Sequence, residues 1–321
     1  MRRLGCVGLV AAALAAVALY AVIHGWGGAG PNARAVTFQG AEGATLTSAS
    51  RDLERAGAIT SAARFRLLAR FLGSGEPIKA GEYRIPPRAS AAAILRMLQG
   101  GRILQRLVVV PEGWPSIMVQ EALTRTTGLT GPAPLPAEGS ILPDSYAFQN
   151  GDTRASVATR MEKAMSAYLA AAWAKRKPGI AVTTPEQAII LASIVEKETG
   201  KPAERRTVAA VYANRLKRGM PLQADPTVIY PITKGKPLGR RILLSELRAK
   251  NGYNTYAETG LPKGPIANPG RASIDAVLDP ADSQALYFVA DGSGGHVFAN
   301  TLPEHNANVV KWREYRRVHG I

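Results

Sequence analysis

LASIVEKETG, Leu191 to Gly200, is the stretch whose reading decides how this chain folds. Leu191, Ile194, Val195 and Glu198 recur at the i, i+3, i+4, i+7 spacing of a helix, which places all four on one face. An apolar stripe therefore ends in a glutamate. A carboxyl held against hydrophobic side chains is costly to ionise, so it keeps its proton to higher pH, as a general acid must. The competing reading is a last-turn glutamate turned to solvent, and periodicity alone leaves both open. Glu196 faces Ala192, Ser193 and the terminal glycine, a smaller and more polar side, and is expected nearer the rim.

The flanks support a buried helix. Thr184-Pro185-Glu186-Gln187 reads as a capping box with proline in the first turn, while Gly200 and Pro202 mark the end. A further helix is predicted from Ala203 to Arg218, with Val208, Val211, Tyr212 and Leu216 inward and Gly219 closing it. Upstream, Thr153 to Lys175 reads as a long helix.

Three polar loops follow downstream: LQADPT (222–227), NTY with its leading tyrosine (253–256) and GLPKGPIANPG (260–270). Amides, hydroxyls and aromatic rings together suit carbohydrate, because amides and hydroxyls bond sugar hydroxyls and ring faces cover its C–H surface. Gln223, Asp225, Asn254, Thr255 and Tyr256 are the candidate substrate-binding residues, against the plainer reading of generic surface loops. The prolines of the third loop predict a fixed wall. LYFVA (286–290), DGSGG (291–295) and HVFA (296–299) read as a hairpin, not a phosphate cradle, since no Lys-Ser/Thr ending follows the glycines. His296 and His305 lack metal-ligand spacing, so a structural or substrate-side role is expected, with no metal and no cofactor.

The N-terminal half alternates short elements. Strands are predicted at 36–38, 81–85 and 103–110, and helices at 49–56, 61–72, 90–98 and 116–124. The order of elements predicts an α+β fold. Met1-Arg2-Arg3 precedes a nearly uncharged run from Leu4 to Ile23, about the twenty residues that span a bilayer. A retained anchor with a cytoplasmic N-terminus is expected, with a cleaved signal peptide as the alternative. Residues 1–26 are thus read as anchor, 27–127 as a membrane-proximal α+β region and 128–321 as the main domain. The boundary is placed at the proline- and glycine-rich stretch 128–139.

Forty basic against twenty-four acidic residues give a net charge of +16, which suggests an anionic partner such as nucleic acid, a membrane surface or an acidic polymer. The basic residues are scattered, and no RNA-binding or zinc-finger signature accompanies them, so no nucleic acid is expected. A single cysteine, Cys6, excludes any disulfide within the chain.

The motifs LASIVEKETG, VYANRL, LQADPTVIY, NGYNTY, GLPKGPIANPG and LYFVADGSGGHVF, in this order, resemble the endolytic murein transglycosylase, or YceG-like, family. EGSILPDSY (138–146) resembles the block upstream of them, although it lacks the aromatic residue that usually follows the glycine. The resemblance implies one N-terminal membrane helix, a small LysM-like α+β domain and a larger α+β catalytic domain in the periplasm, held at the bacterial inner membrane. It makes Glu198, the second glutamate of EKET, the catalytic residue. It implies cleavage of the β-1,4 bond between N-acetylmuramic acid and N-acetylglucosamine within peptidoglycan strands, leaving 1,6-anhydro ends and terminating strand growth. Peptidoglycan glycan is then the substrate, and peptidoglycan synthases are an expected class of partner. A second carboxylate for hydrolysis has no compelling candidate beyond Asp225 and Glu258. The alternative is a non-catalytic, membrane-anchored peptidoglycan-binding scaffold.

Overall fold

The computed structural model describes residues 2–320, with the side chains of 1–11, 18, 21 and 23 outside the description. The chain divides into two compact units, Met1–Arg106 and Leu107–Ile321.

The first unit opens with α1 (Arg2–Gly27), then β1 (Val36–Gly40), α2 (Leu46–Arg55), α3 (Ala62–Leu72), β2 (Gly81–Ile85) and α4 (Ala91–Gly100). β1 and β2 pair antiparallel with Val36 opposite Ile85 and Gly40 opposite Gly81. Phe38, Leu53, Phe65, Tyr83, Ile85, Ile94 and Leu98 make the core beneath them. Hydroxyls start the helices: Thr45 caps α2 through a reciprocal bond with Ser48, while Ser61 and Ser90 cap α3 and α4. The cap at Thr45 starts α2 three residues before the predicted Ala49, because hydroxyl capping outweighs a weak apolar pattern.

The expected span over 1–26 falls largely on residues whose side chains lie outside the description. Among the described residues, no helix is long and apolar enough to cross a membrane. The glycine-rich stretch 25–34, whose composition suits a linker, is not free chain. Trp26 packs its ring 6.0 Å from that of Phe65, and the buried Asn32 donates from Nδ2 to the carbonyls of Arg34 and Pro86.

The second unit carries β3 (Arg106–Val109), α5 (Ser116–Arg125), β4 (Ser145–Phe148), α6 (Arg154–Ala174), α7 (Pro185–Glu198), α8 (Arg205–Lys217), α9 (Asp225–Thr233), α10 (Leu244–Arg248), α11 (Arg271–Leu278), β5 (Tyr287–Ala290), β6 (His296–Ala299) and α12 (Leu302–His319). β3 pairs with β4, and β5 pairs antiparallel with β6. The fold is mixed α+β, with the strands confined to two-stranded ribbons among the described residues.

The boundary lies near 106, not in the stretch 128–139. That stretch is part of the second unit's packing: Leu129 and Ile141 sit in one core cluster with Val108, Val119 and Met161. Glu138 accepts from the Ser116 amide at 2.9 Å. Proline and glycine here bend a packed loop, which composition alone does not distinguish from a linker.

α7 is the axis of the second unit. Thr184 caps it by accepting from the Gln187 amide, and Pro185 occupies its first turn. The glutamine reaches back to the Thr183 amide and hydroxyl rather than closing the predicted box on Thr184. Leu191, Ile194 and Val195 are almost fully buried, each contributing roughly 1.5–3 kcal/mol by leaving water. They pack into the same cluster as Val208 and Tyr212 of α8 and Ile274 and Val277 of α11. The helix ends at Glu198, and the extended Thr199 turns the chain away.

Candidate active site

The two glutamates of EKET have opposite surroundings. Glu196 is tied into the packing, with a side chain only 5% exposed. Its Oε2 accepts from the Gly270 amide at 2.9 Å, and its Oε1 lies 3.6 Å from the Arg205 guanidinium. The expectation of a rim position is therefore wrong. The small neighbours that made this face look polar leave room for Arg205 and for the chain end that begins α11. Glu196 is a structural pin, committed to partners on two other elements.

Glu198 is partly buried and opens on a pocket of about 310 Å³. Burial against the apolar stripe pushes its carboxyl up to about 7, offset in part by the hydroxyl of Tyr212, which donates to it. The negative charge of Asp225 adds to the rise, and the guanidinium of Arg215 opposes it. At neutral pH the carboxyl is therefore populated in both its acid and its base form. That is the condition for one group to give a proton and later take one.

Several elements converge on this carboxyl. α8 supplies Tyr212 and Arg215, one turn apart. Tyr212 is buried, so its proton is held well above the usual phenol range and it acts as a donor. Arg215 is anchored from below, donating from Nε to the Leu286 carbonyl at 2.7 Å and from Nη1 to the Leu222 carbonyl at 2.8 Å and Gln223 Oε1 at 3.3 Å. Gln223 and Asp225 line the pocket from the turn into α9, Tyr256 from the loop after α10, Phe288 from β5 and His305 from the first turn of α12. The Tyr256 hydroxyl donates to Asp225 Oδ1 at 2.6 Å.

Gln223, Asp225 and Tyr256 thus reach the pocket, whereas Asn254 and Thr255 do not. Asn254 is fully buried: its Nδ2 donates to the carbonyls of Glu246, Leu247 and Ala249, and its Oδ1 accepts from the Tyr256 amide. Thr255 Oγ1 accepts from the Ala224 amide and lies 2.9 Å from Thr227 Oγ1. Both spend their polar atoms on the backbone and so place Tyr256 and the 222–225 turn instead of meeting a ligand. Glu258 does the same, accepting from the Asn251 and Gly252 amides. The third loop is a wall, but a structural one. Asn268 donates to the Trp114 carbonyl and accepts from the Ile141 amide, and the Ile266 amide donates to Ser193 Oγ.

Tyr212, Arg215 and Phe288 are the site residues that sequence reasoning missed, while His305, expected in a structural or substrate-side role, lines the same pocket. The first two carry a local signal, since VYANRL places two long polar-tipped side chains at i and i+3 on an otherwise apolar face. Phe288 carries none. His296 is instead taken up by Glu204, which accepts from its amide and meets its Nδ1 at 2.8 Å, holding the β5–β6 hairpin down. Among the described residues no group of three or more His, Cys, Asp or Glu side chains could hold a metal ion.

Residues 38–311 match the model of the YceG-like family. The chain belongs to the YceG-like family. It is 39% identical over 178 residues to a Bacillus subtilis protein named endolytic murein transglycosylase, covering 55% of this chain and 48% of that one. A Streptococcus pneumoniae D39 protein of the same name is 27% identical over 319 residues, covering 84% and 57%. The chain thus spans about half the length of the curated relatives it matches. A crystal structure of a yceG-like protein from Listeria monocytogenes superposes with a TM-score of 0.52 at 26% identity, covering 85% of this chain and 99% of that one.

One pocket residue of this YceG-like chain is held in a strained shape. Gln223 has φ +54°, a left-handed conformation that a side chain with a Cβ adopts at a cost of roughly 1–2 kcal/mol. The bond from its amide to the Thr255 carbonyl at 3.0 Å holds it there and turns its side chain into the site. Gln223→Gly removes the strain together with the amide group. Its unfolding free energy, from denaturant titration, is expected to stay within about 1 kcal/mol of the parent, while turnover falls. A variant that loses stability and activity together would assign Gln223 to the fold alone.

Proposed function

We propose that this chain is an endolytic lytic transglycosylase, which cuts the β-1,4 bond between N-acetylmuramic acid and N-acetylglucosamine inside peptidoglycan strands. The observation that carries the reading is the Glu198 carboxyl, with its affinity for protons tuned to about 7 by burial and by Tyr212, facing an open polar pocket. Protonated Glu198 gives its proton to the glycosidic oxygen as the C1–O bond breaks, and the departing sugar leaves as an alcohol. The resulting carboxylate then takes the proton of the muramyl C6 hydroxyl while O6 bonds to C1. Water is not consumed, a 1,6-anhydro end forms and the carboxyl returns to its starting state.

A hydrolase of the two-carboxylate kind needs a second free carboxylate at a set distance. Asp225, the other carboxylate lining the pocket, is engaged by the Tyr256 hydroxyl. That favours a single acid–base group. The names of the two relatives support the same activity.

The first unit is proposed to be LysM-like, since β1–α2–α3–β2 is a helix pair framed by an antiparallel strand pair. A groove of about 850 Å³ lies between the start of α2 (44–47), α3 and the 75–78 loop. The arginines before the apolar run 4–23 support an inner-membrane anchor with the rest of the chain in the periplasm. Cutting nascent strands there would end their growth, with peptidoglycan synthases as neighbours.

Digestion of purified glycan strands followed by mass spectrometry tests the reading. Anhydro ends support it, reducing ends indicate a hydrolase, and unchanged strands leave a binding scaffold. The pH dependence adds a check. The free enzyme must carry the Glu198 proton, so kcat/KM is expected to fall about tenfold per unit once pH rises above about 7.

A further inference from the structure

We infer that His305 is a substrate-positioning residue of the Glu198 pocket, presenting its Nε2–H as a fixed donor to an uncharged acceptor oxygen of the bound sugar chain. The inference rests on the glycan substrate proposed above and adds a residue and a role to it.

The ring is held in place from two directions. Thr301 and Glu304 cap α12 reciprocally, and the His305 amide donates to the Thr301 carbonyl at 3.0 Å, which fixes the first turn that carries the side chain. The imidazole stacks on Tyr287, with ring centroids 5.2 Å apart and planes 23° from parallel. Arg215 lies 5.2 Å over that same tyrosine ring. A stacked ring on a capped turn loses little freedom when it meets a ligand.

The two ring nitrogens stand in different surroundings. Nδ1 is shut away from solvent and has no hydrogen-bond partner, while the ring as a whole lines the pocket. A buried N–H without an acceptor is expensive, and a buried lone pair left empty is cheaper than a stranded proton. The proton therefore belongs on Nε2, the nitrogen left to meet a ligand. The charged groups around the ring agree. Burial, together with the charge of Arg215 on α8, pulls the imidazole's affinity for protons below its ordinary value. Glu198 of α7 and Asp225 of α9 are the acids in the same pocket, and Asp225 is already engaged by Tyr256. The ring is thus a neutral donor, suited to a sugar hydroxyl or an acetamido carbonyl.

Two measurements test this on the full chain. Long-range ¹⁵N–¹H correlation of the labelled histidines at pH 7 should give the Nε2–H tautomer for His305. An Nδ1–H or doubly protonated ring overturns the inference without reference to any substrate. Binding of peptidoglycan oligosaccharides is then measured in the Glu198→Gln background, which cannot cleave them. His305→Phe keeps the stacking surface and removes the donor, and should weaken binding by up to about tenfold. His305→Gln places an N–H close to Nε2 and should recover most of that loss. Equal weakening in both variants assigns a merely structural role and overturns the inference, as does unchanged binding by His305→Phe. If the protein with His305 intact binds no oligosaccharide, the substrate reading falls and this one with it, a result distinct from the other two.

Discussion

Glu198→Gln is expected to abolish cleavage while raising stability. Glutamine has nearly the shape of glutamic acid but can neither give nor take a proton under these conditions, and general acid–base groups contribute about 10²- to 10⁴-fold. In the mechanism proposed above one carboxyl serves both halves of the reaction, so the loss is expected at or beyond the upper end of that range. The stability gain follows from linkage. In the folded chain the carboxyl titrates near 7 against an ordinary value of 4.5, so between those limits the folded state holds a proton that the unfolded state has released. Stability is therefore lost as pH rises from about 4.5 to about 7. The full shift corresponds to roughly 3 kcal/mol, and on the order of 2 kcal/mol once partial solvent access is allowed for. Glutamine carries no such penalty. Thermal unfolding at pH 8 should show the variant above the parent, with the gap closing toward pH 4.5. A variant less stable than the parent at both pH values would mean that Glu198 holds the fold together.

Glu196→Ala should do the reverse. It takes the carboxylate away from Arg205, whose side chain is only 10% exposed and whose Nε already has no partner. It also leaves the Gly270 amide at the start of α11 without its acceptor. Breaking a buried pair from one side costs about 3–5 kcal/mol, because a charge remains where water cannot reach it. A loss of about 3 kcal/mol lowers the unfolding midpoint by roughly 6–12 °C in a unit of this size. Turnover per folded molecule, measured well below the midpoint, should stay near parental. If Glu196→Ala instead abolished turnover at full stability, the assignment of the two glutamates would have to be exchanged.

Together the two variants separate neighbours that the sequence makes look alike, and they show where sequence reading stops. The helix and its cap are local facts, written in residues 184 to 200, and local spacing recovers them, whereas spacing leaves open whether Glu198 meets the core or solvent. The burial of Glu196 is not local, because its amide partner stands 74 positions away. The same limit explains Asn254 and Thr255. Their side chains suit sugar, but the folding of α10 brings three carbonyls around Asn254 and the 224–227 turn brings a hydroxyl to Thr255. An amide in a loop sequence gives no sign of whether backbone or ligand will claim it. Phe288 of β5 is invisible for a related reason, since nothing near it refers to Glu198, and the sequence around His305 does not choose between the structural and substrate-side roles open to it. The division near 106 escaped composition because the proline- and glycine-rich segment at 128–139 is packed, whereas the true division has no such mark.

The acidity of Glu198 belongs to its surroundings, not to the residue. Let the end of α7 fray, or the packing around Leu191 and Val195 loosen, and the same side chain becomes an ordinary carboxylate, ionised at neutral pH and with no proton to give. On the mechanism proposed above, a copy that has lost this packing carries no general acid, so activity and an intact second unit are expected to be lost together.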